Sequence, residues 1–265
     1  SMPTEEEQFE VYKRAAVICK DKVLTIRTLD IGGDKDIPYM GLTKESNPFL
    51  GYRAIRFCLG RIDVFTTQLR AILRASAYGN IRIMLPLITG VSEVRSVRTI
   101  LQNVMRELDS KEIPYDKDIL LGVMIETPAA CMLADILAKE ADFFSIGTND
   151  LTQYTIAVDR GNENVAYLYS AFHPAVLRSV KRIIECAKRE NIEVGMCGEA
   201  AGNPAMIPLL LAFGLDEFSV TASKVLETRK NIASWTMKEA AAVTDTVMGM
   251  STEKEVSAYL SDYIA

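Results

Sequence analysis

The stretch ILLGVMIETPAACMLADILAKEADFFSIGTND, residues 119–150, decides the fold class of this chain. It opens with an apolar run (119–127), continues with a segment of helical pattern (128–141) and closes with a second apolar run (142–150). Short apolar runs rich in β-branched and aromatic residues are typical of buried strands. Because a helical segment separates the two runs, we expect two parallel strands joined by a helix.

The same alternation of strand and helix continues along the chain. Four further strands are predicted, at VLTIRTLD (23–30), IRIMLPLI (81–88), IEVGMCGE (192–199) and DEFSVTA (216–222). The segment HPAVLRSVKRIIECAKREN (173–191) has apolar residues at helical spacing and is predicted to be a helix. Parallel strands covered by helices form either a β/α barrel or a doubly wound sheet. A closed barrel of this type needs eight strands, and the sequence predicts six with clarity.

Composition places the chain in a broad class. Its 265 residues, 49% of them hydrophobic, are enough for one large domain spanning 1–265. The net charge of -5 excludes a general basic field that would attract nucleic acid or an anionic membrane. No apolar run reaches the roughly 18 residues that a membrane span requires. Five cysteines without CxxC spacing favour a reducing compartment over disulfides or a zinc site, so we expect a cytoplasmic protein.

Polar residues stand where the predicted strands end. They are Arg27, Glu126, Asn149 with Asp150, and Cys197 with Glu199. In a β/α barrel the C-terminal ends of all strands open on one face, and catalytic groups collect there. The pattern therefore predicts an enzyme whose site draws residues from four strands.

Glu126 and Asp150 end two successive strands and are candidate metal ligands. Two carboxylates side by side repel each other unless they share a cation or a proton. Oxygen ligands without a histidine or thiolate partner suit Mg²⁺ or Mn²⁺. The alternative is that one carboxylate caps a helix, as Asp150 could for the segment that follows it, and that the other is a solvated loop acid. Spacing alone leaves both interpretations open.

Arg27, Arg53 and Arg160 are candidate anion-binding residues. A guanidinium group matches the oxygens of phosphate or carboxylate two at a time. Arg27 is the strongest candidate, because it interrupts an apolar strand where an unpaired charge is costly. For Arg53, which follows a turn that could open a helix, and for Arg160, a surface salt bridge is the alternative. The glycines of LDIGGDK (29–35) would permit close approach of the backbone to a ligand.

Cys197 lies at a strand end with a glycine beside it. Cysteine is most often a small buried hydrophobe, and the alternative at a strand end is a nucleophile or a proton donor. A nucleophilic Cys–His pair is disfavoured, because His173, the single histidine, stands where a helix is predicted to start. A protonated thiol is the better chemical interpretation.

Six longer motifs carry a resemblance to a known family. They are TIRTLDIGGDK (25–35), NPFLGYRAIR (47–56), QLRAILRAS (68–76), GVMIETPAA (122–130), FFSIGTNDLTQYTIAVDR (143–160) and GMCGEAAGNP (195–204). Together they resemble the C-terminal domain of Enzyme I, the phosphoenolpyruvate–protein phosphotransferase family of the bacterial sugar phosphotransferase system. Pyruvate phosphate dikinase and phosphoenolpyruvate synthase share the TND and CGE elements, but TIRTLDIGGDK and YTIAVDRGN look like Enzyme I.

The resemblance implies a (β/α)8 TIM-type barrel that binds phosphoenolpyruvate with Mg²⁺, for which Mn²⁺ can substitute. It implies Glu126 and Asp150 as the metal ligands and Cys197 as the acid that protonates the carbon of pyruvate enolate. The substrate-binding residues that it implies are Arg27, Arg53, Asn149, Asp150 and Arg160. Asn149 and Arg160 would contact the phosphoryl group.

The resemblance also implies partners. The phosphoryl group would pass to a histidine on a separate N-terminal domain, with release of pyruvate, as the first step of sugar uptake. That domain would bind the histidine-containing phosphocarrier protein, and the chain would form a homodimer. The family carries two strands upstream of PTEEEQF (3–9), so we expect an N-terminally truncated barrel of about six strands. The alternatives are an inactive binding or dimerisation fragment and a dikinase-type domain.

Overall fold

The computed structural model describes residues 2–32 and 45–264, so residues 33–35 of the LDIGGDK motif lie outside the described residues. The chain divides into two compact units, Ser1–Val123 and Met124–Ala265. Each unit is described by itself.

The first unit contains parallel strands in chain order. They are β1 (Leu24–Arg27), β2 (Ile81–Leu85) and β3 (Leu120–Ile125), the last of which ends in the second unit. Ile83 of β2 lies opposite Ile26 of β1 on one side and Leu121 of β3 on the other. The helices of this unit are α1 (Glu5–Cys19), α2 (Ala54–Gly60), α3 (Ile62–Ser76) and α4 (Val91–Ser110), with a 3₁₀ turn at Pro48–Leu50.

Helix α1 packs on α3 through both apolar and charged contacts. Phe9 is buried, and the guanidinium carbon of Arg74 lies 4.0 Å from the centre of its ring. Arg74 Nη1 donates to Glu5 Oε1 at 2.7 Å, and Arg70 Nε donates to Glu5 Oε2 at 2.9 Å. The capping box between Thr4 and Glu7 starts α1 at the residue that makes both ion pairs.

The second unit continues the parallel pattern. Its strands are β4 (Phe143–Gly147), β5 (Glu193–Cys197) and β6 (Glu217–Phe218), and β5 pairs in parallel with both others. The helices are α5 (Pro128–Met132), α6 (Ala134–Leu137), α7 (Thr148–Ile156), α8 (Pro174–Arg189), α9 (Ile207–Phe213), α10 (Val225–Ala233), α11 (Met237–Met248) and α12 (Glu253–Ile264). Shorter 3₁₀ turns lie at Ala166–Leu168, Glu199–Gly202 and Ala222–Lys224.

The α/β class and the six predicted strands are confirmed. The described ranges contain two strands fewer than a closed barrel needs, and the full (β/α)8 barrel stays a prediction. The helix predicted over 128–141 is two short helices, because the backbone of Leu133 (φ -94°, ψ 12°) departs from helical geometry between them. Helix α8 starts as predicted, with His173 as its N-cap.

The longest helices of the described ranges are amphipathic. None of those described combines the length and the apolar character that crossing a bilayer requires.

Candidate functional site

Four of the predicted site residues lie at strand ends in the second unit. Glu126 directly follows β3, Asn149 and Asp150 lie in the first turn of α7 just after β4, and Cys197 ends β5. Strands β4 and β5 are parallel, and Gly147 lies opposite Cys197. The ends of both strands therefore open at the same edge, as the sequence pattern predicted.

Glu126 is a buried carboxylate, 3% exposed, that lies against the backbone of Gly147. A Cβ atom added to Gly147 would stand 2.5 Å from Glu126 Oε2 and 3.0 Å from Met124 Sδ. Glycine at the end of β4 therefore leaves the space that the carboxylate fills.

Asp150 is the second buried carboxylate, 7% exposed. It is the third residue of α7, and Gly147 is the N-cap of that helix. The interpretation of Asp150 as a helix cap is therefore wrong, because the helix starts two residues before it. An acidic side chain in a first turn is still stabilised by the backbone dipoles of the helix. Arg160 Nη2 lies 3.5 Å from Asp150 Oδ1, so the acid and the arginine are neighbours.

Arg160 belongs to the segment that follows α7. Helix α7 ends at Ala157, which has left-handed backbone angles (φ 54°, ψ 41°). The backbone N–H of Arg160 then donates to Oε1 of the buried Gln153 at 3.1 Å. This bond returns the chain to α7, which explains how a residue ten positions after Asp150 reaches its carboxylate.

Cys197 is held by hydrogen bonds to the β4–α7 junction. Its Sγ donates to the carbonyl oxygen of Ile146 at 3.6 Å, and Thr148 Oγ1 donates to the carbonyl oxygen of Cys197 at 3.0 Å. The thiol of Cys197 therefore lies at the end of β4, the strand that leads into Asn149 and Asp150. The next residue, Gly198, has φ 95°, and a Cβ atom there would stand 2.4 Å from Thr148 Oγ1.

In the first unit, two predicted arginines flank one carboxylate that the sequence analysis missed. Arg53 Nη2 lies 2.9 Å from Asp30 Oδ1, and Arg27 Nη1 lies 3.7 Å from Asp30 Oδ2. The spacing of Asp30, three residues after Arg27, was the only available signal for this contact. Asp30 therefore orients both candidate anion-binding groups.

The burial of these two arginines is the reverse of the expectation. Arg53 is 8% exposed, whereas the side chain of Arg27 is 49% exposed at the last residue of β1. Arg53 is buried because the turn before α2 brings it against Gly32, where an added Cβ atom would stand 2.1 Å from Arg53 Cβ. The close approach permitted by Gly32 is thus to Arg53, and Arg27 is not the buried strand charge that the apolar context predicted.

A cavity of about 270 Å³ opens beside Asn149 in the second unit. Its lining comprises Thr148, Asn149, Tyr169, Ser170, Ala171, Phe172, Glu199, Ala200 and Asn203. Tyr169 was missed by the sequence analysis, because an aromatic residue in a polar segment gives no periodic signal. Its hydroxyl donates to the backbone carbonyl oxygen of Asn149 at 3.1 Å. Burial raises the pKa of Tyr169, an effect that the Arg160 guanidinium partly offsets.

The donor set at the ends of β3 and β4 fits Mg²⁺ better than zinc. Glu126 and Asp150 offer carboxylate oxygens, and the described part of the chain has no cluster of three or more His, Cys, Asp or Glu side chains arranged to hold a metal. Closed zinc sites take four protein ligands, usually including Cys or His. Mg²⁺ commonly takes one or two carboxylates and completes its shell with water and phosphate.

Comparison with known proteins gives a consistent family match. Residues 1–237 match the family described as PEP-utilising enzyme, PEP-binding domain. The chain is 51% identical over 259 residues to the phosphoenolpyruvate-protein phosphotransferase of Bacillus sp. (strain S), covering 98% of this chain and 45% of that protein. It is 49% identical over 261 residues to the protein of the same name from Bacillus subtilis (strain 168), covering 98% of this chain and 46% of that protein. The chain thus spans a little under half the length of these curated relatives.

Solved structures add only a remote likeness. A citrate lyase from Burkholderia xenovorans LB400 has a TM-score of 0.49 and 16% identity, covering 74% of this chain and 66% of that chain. A likeness at this level carries no argument about function. The family match, in contrast, confirms the resemblance inferred from the six motifs.

Proposed function

We propose, from the premise that this chain belongs to the PEP-binding domain family of the PEP-utilising enzymes, that it binds phosphoenolpyruvate together with Mg²⁺. The observation that carries the proposal is the pair of buried carboxylates, Glu126 and Asp150, at the ends of β3 and β4. Carboxylate oxygens are the ligands that Mg²⁺ prefers, and one or two of them are enough to hold the ion. A divalent cation can bind these carboxylates and the phosphate oxygens of the substrate at the same time, which neutralises negative charge on both.

Within the second unit, each polar side chain has a role in this proposal. Glu126 and Asp150 would hold Mg²⁺, which supplies positive charge against the phosphoryl oxygens. Arg160, already 3.5 Å from Asp150, would meet the same oxygens from the other side together with the amide of Asn149. Two unit charges 4 Å apart interact by about 4 kcal/mol at an effective dielectric constant near 20. A few such contacts bind a small polyanion to an acidic protein and stabilise phosphoryl transfer.

Cys197 would complete the reaction. When the phosphoryl group leaves phosphoenolpyruvate, the remaining enolate needs a proton at its methylene carbon to become pyruvate. The Cys197 thiol would donate that proton and recover one from solvent. The hydrogen bond from Sγ to the Ile146 carbonyl oxygen holds the thiol at the end of β4, the strand that leads into Asn149 and Asp150, which supports this assignment.

The acceptor of the phosphoryl group would be outside this chain. His173, the single histidine, is the N-cap of α8, and its Nδ1 accepts a hydrogen bond from the backbone N–H of Ala175 at 3.2 Å. This structural role favours the proposal that the accepting histidine lies on a separate N-terminal domain. The chain alone would then be a binding module, and with that domain a phosphotransferase.

The remaining assignments follow the same resemblance. Arg27 and Arg53 are proposed to bind the anionic groups of the substrate, with Asp30 orienting them. We also propose a cytoplasmic homodimer whose N-terminal domain passes the phosphoryl group to the histidine-containing phosphocarrier protein, as the first step of sugar uptake.

Isothermal titration calorimetry of the chain with phosphoenolpyruvate tests the binding proposal. We expect binding with Mg²⁺ or Mn²⁺ present and none after chelation. Glu126→Gln and Asp150→Asn should each weaken metal-dependent binding at least roughly tenfold, the effect of losing one charged ligand. Glu163→Gln removes the same charge from an exposed residue of the second unit and should leave binding unchanged. Equal affinity with and without metal would contradict the assignment.

Phosphoryl transfer is tested by adding a separately made N-terminal domain, its phosphocarrier protein and labelled phosphoenolpyruvate. Label on the N-terminal domain without ATP supports the phosphotransferase. A requirement for ATP would favour the dikinase-type alternative, and binding without any transfer would favour the inactive module.

A further inference from the structure

The segment between α7 and α8 leaves α7 and returns to it at two points. The first is the bond from the Arg160 backbone N–H to Gln153 Oε1, 3.1 Å long. The second is the bond from the Tyr169 hydroxyl to the carbonyl oxygen of Asn149, also 3.1 Å long. Arg160 itself makes the first attachment and Tyr169 makes the second, so the stretch 160–169 is fixed to one helix at both of its ends.

We propose that Tyr169 is a positioning residue that fixes the segment carrying Arg160 against the first turn of α7, where Asn149 and Asp150 lie. This inference rests on the proposed function, because it assigns Tyr169 to the same phosphoryl-binding groups. Tyr169 itself is not required to touch the substrate.

The surroundings of Tyr169 support this role. The residue is half-buried and lines the cavity beside Asn149, and its hydroxyl donates to the Asn149 carbonyl oxygen. Burial raises the pKa of Tyr169, so the phenol stays neutral near pH 7 and keeps the proton that it donates. The Arg160 guanidinium also interacts with this hydroxyl, which ties the side chain of Arg160 as well as its backbone.

The attachment made by Tyr169 is separable from the fold of the segment. The next residue, Ser170, donates to Glu253 Oε1 of α12 at 3.1 Å, and the Phe172 N–H donates to Ser170 Oγ at 3.2 Å. These bonds anchor the end of the segment without Tyr169. Removing only the Tyr169 hydroxyl should therefore loosen Arg160 while the surrounding structure persists.

The chemical consequence is confined to the phosphoryl group. A mobile arginine side chain binds an anion less tightly than one that is already ordered in the free protein. The reason is that ordering the side chain on binding costs conformational entropy. The Arg160 side chain is 39% exposed, so surrounding packing does not fix it fully. Its position depends on the hydrogen bonds made by the segment that carries it. Ligands without a phosphoryl group should not sense the change.

The test compares two ligands on the whole chain with Mg²⁺ present. Phosphoenolpyruvate has the phosphoryl group, whereas oxalate resembles pyruvate enolate and has none. Tyr169→Phe should weaken phosphoenolpyruvate binding roughly three- to tenfold, the range expected for one neutral hydrogen bond. The affinity for oxalate should change less than about twofold, which is below the effect of losing one hydrogen bond. Tyr167→Phe is the matched control, because Tyr167 is 80% exposed, and it should change neither affinity.

A double-variant cycle isolates the route through Arg160. In an Arg160→Ala background, Tyr169→Phe should produce no further loss of phosphoenolpyruvate affinity. Equal losses for phosphoenolpyruvate and oxalate, or additive losses in the cycle, would overturn the positioning role. Unchanged phosphoenolpyruvate affinity in Tyr169→Phe would also overturn it. Failure of the unmodified chain to bind phosphoenolpyruvate with Mg²⁺ would instead overturn the proposed function itself.

Discussion

The carboxylate of Glu126 occupies the space that a side chain on Gly147 would fill. An added Cβ atom would stand 2.5 Å from Glu126 Oε2 and 2.8 Å from Glu126 Cβ. Gly147 has φ -86°, which any residue adopts, so the requirement for glycine is steric and not conformational. The position of Glu126, the buried acid that directly follows β3, therefore requires a residue without a side chain at the end of β4.

Gly147→Ala should therefore displace the Glu126 carboxylate. We expect a loss of stability of about 1–3 kcal/mol, the usual cost of overpacking, and loss of Mg²⁺-dependent binding of phosphoenolpyruvate. Urea unfolding and calorimetry measure the two effects. Gly90→Ala is the control for binding, because a Cβ atom at Gly90, the N-cap of α4 in the first unit, meets nothing in the described part of the chain within 4 Å. Full metal-dependent affinity in Gly147→Ala would show that Glu126 is not a ligand.

Asp30→Asn should destabilise the protein through Arg53. Arg53 is 8% exposed, and its guanidinium makes hydrogen bonds of 2.9 Å and 3.2 Å to the two oxygens of Asp30. Removing a charge beside a buried cation costs about 1–3 kcal/mol, which urea unfolding at neutral pH would detect.

Asp63→Asn serves as the control for Asp30→Asn. Asp63 also pairs with an arginine, Arg61, at 2.7 Å, but both side chains are largely exposed. Solvent screens such a pair, and the position of Asp63 in the first turn of α3 adds only a small stabilising effect, so we expect a smaller loss of stability than in Asp30→Asn. Equal losses in the free energy of unfolding for Asp30→Asn and Asp63→Asn would contradict the argument that burial of Arg53 makes its ion pair important.

Gly198→Ala should distort the contact between the residue that follows β5 and the first turn of α7. The backbone of Gly198 is in the positive-φ region (φ 95°), and a Cβ atom would stand 2.4 Å from Thr148 Oγ1 and 3.2 Å from Asn149 Oδ1. Gly214→Ala separates the cost of backbone strain from the cost of the steric clash. Gly214 also has a positive φ of 89°, but the only atom of the described residues near its added Cβ would be Lys188 Cε, at 3.7 Å. Both variants should lose about 1–3 kcal/mol from backbone strain. Only Gly198→Ala should also lose phosphoenolpyruvate affinity, and the same affinity in both variants would refute the steric argument.

Cys58 should make stability fall at alkaline pH. Burial, with a smaller effect of the Asp30 carboxylate, raises the pKa of Cys58 to about 12 from the ordinary value of 9.0. Between these values the unfolded chain loses a thiol proton that the folded chain keeps, so the unfolded state binds fewer protons. The free energy of unfolding then decreases as pH rises, by at most about 1.4 kcal/mol per pH unit.

Urea unfolding of the parent and of Cys58→Ala between about pH 8 and pH 10 tests this dependence. Other titrating groups contribute equally to both proteins, so the difference in slope isolates Cys58. The parent should lose stability faster with rising pH, and the difference should vanish below about pH 8, where the unfolded thiol is protonated too. Parallel slopes across the whole range would contradict the raised pKa.

The local elements of this protein follow from short-range sequence patterns. Apolar runs located all six strands. A strand that is buried on both faces consists largely of apolar residues, and this pattern is visible without knowledge of distant residues. His173 followed by Pro174 predicted the start of α8, since proline at the first helical position and a polar cap are local signals. The polar residues at strand ends were likewise predicted, because parallel strands present their C-terminal ends at the same edge.

The burial of these groups and the contacts that hold them arise from packing between elements. Arg53 became the buried cation and Arg27 the exposed one, because the segment before α2 packs Arg53 against Gly32. Tyr169 reaches Asn149 across 20 residues, and Arg53 reaches Asp30 across 23. Periodicity reports on the face that a residue occupies within its own element. Contacts between elements depend on the path of the connecting segments and on side-chain packing, and no local pattern encodes them.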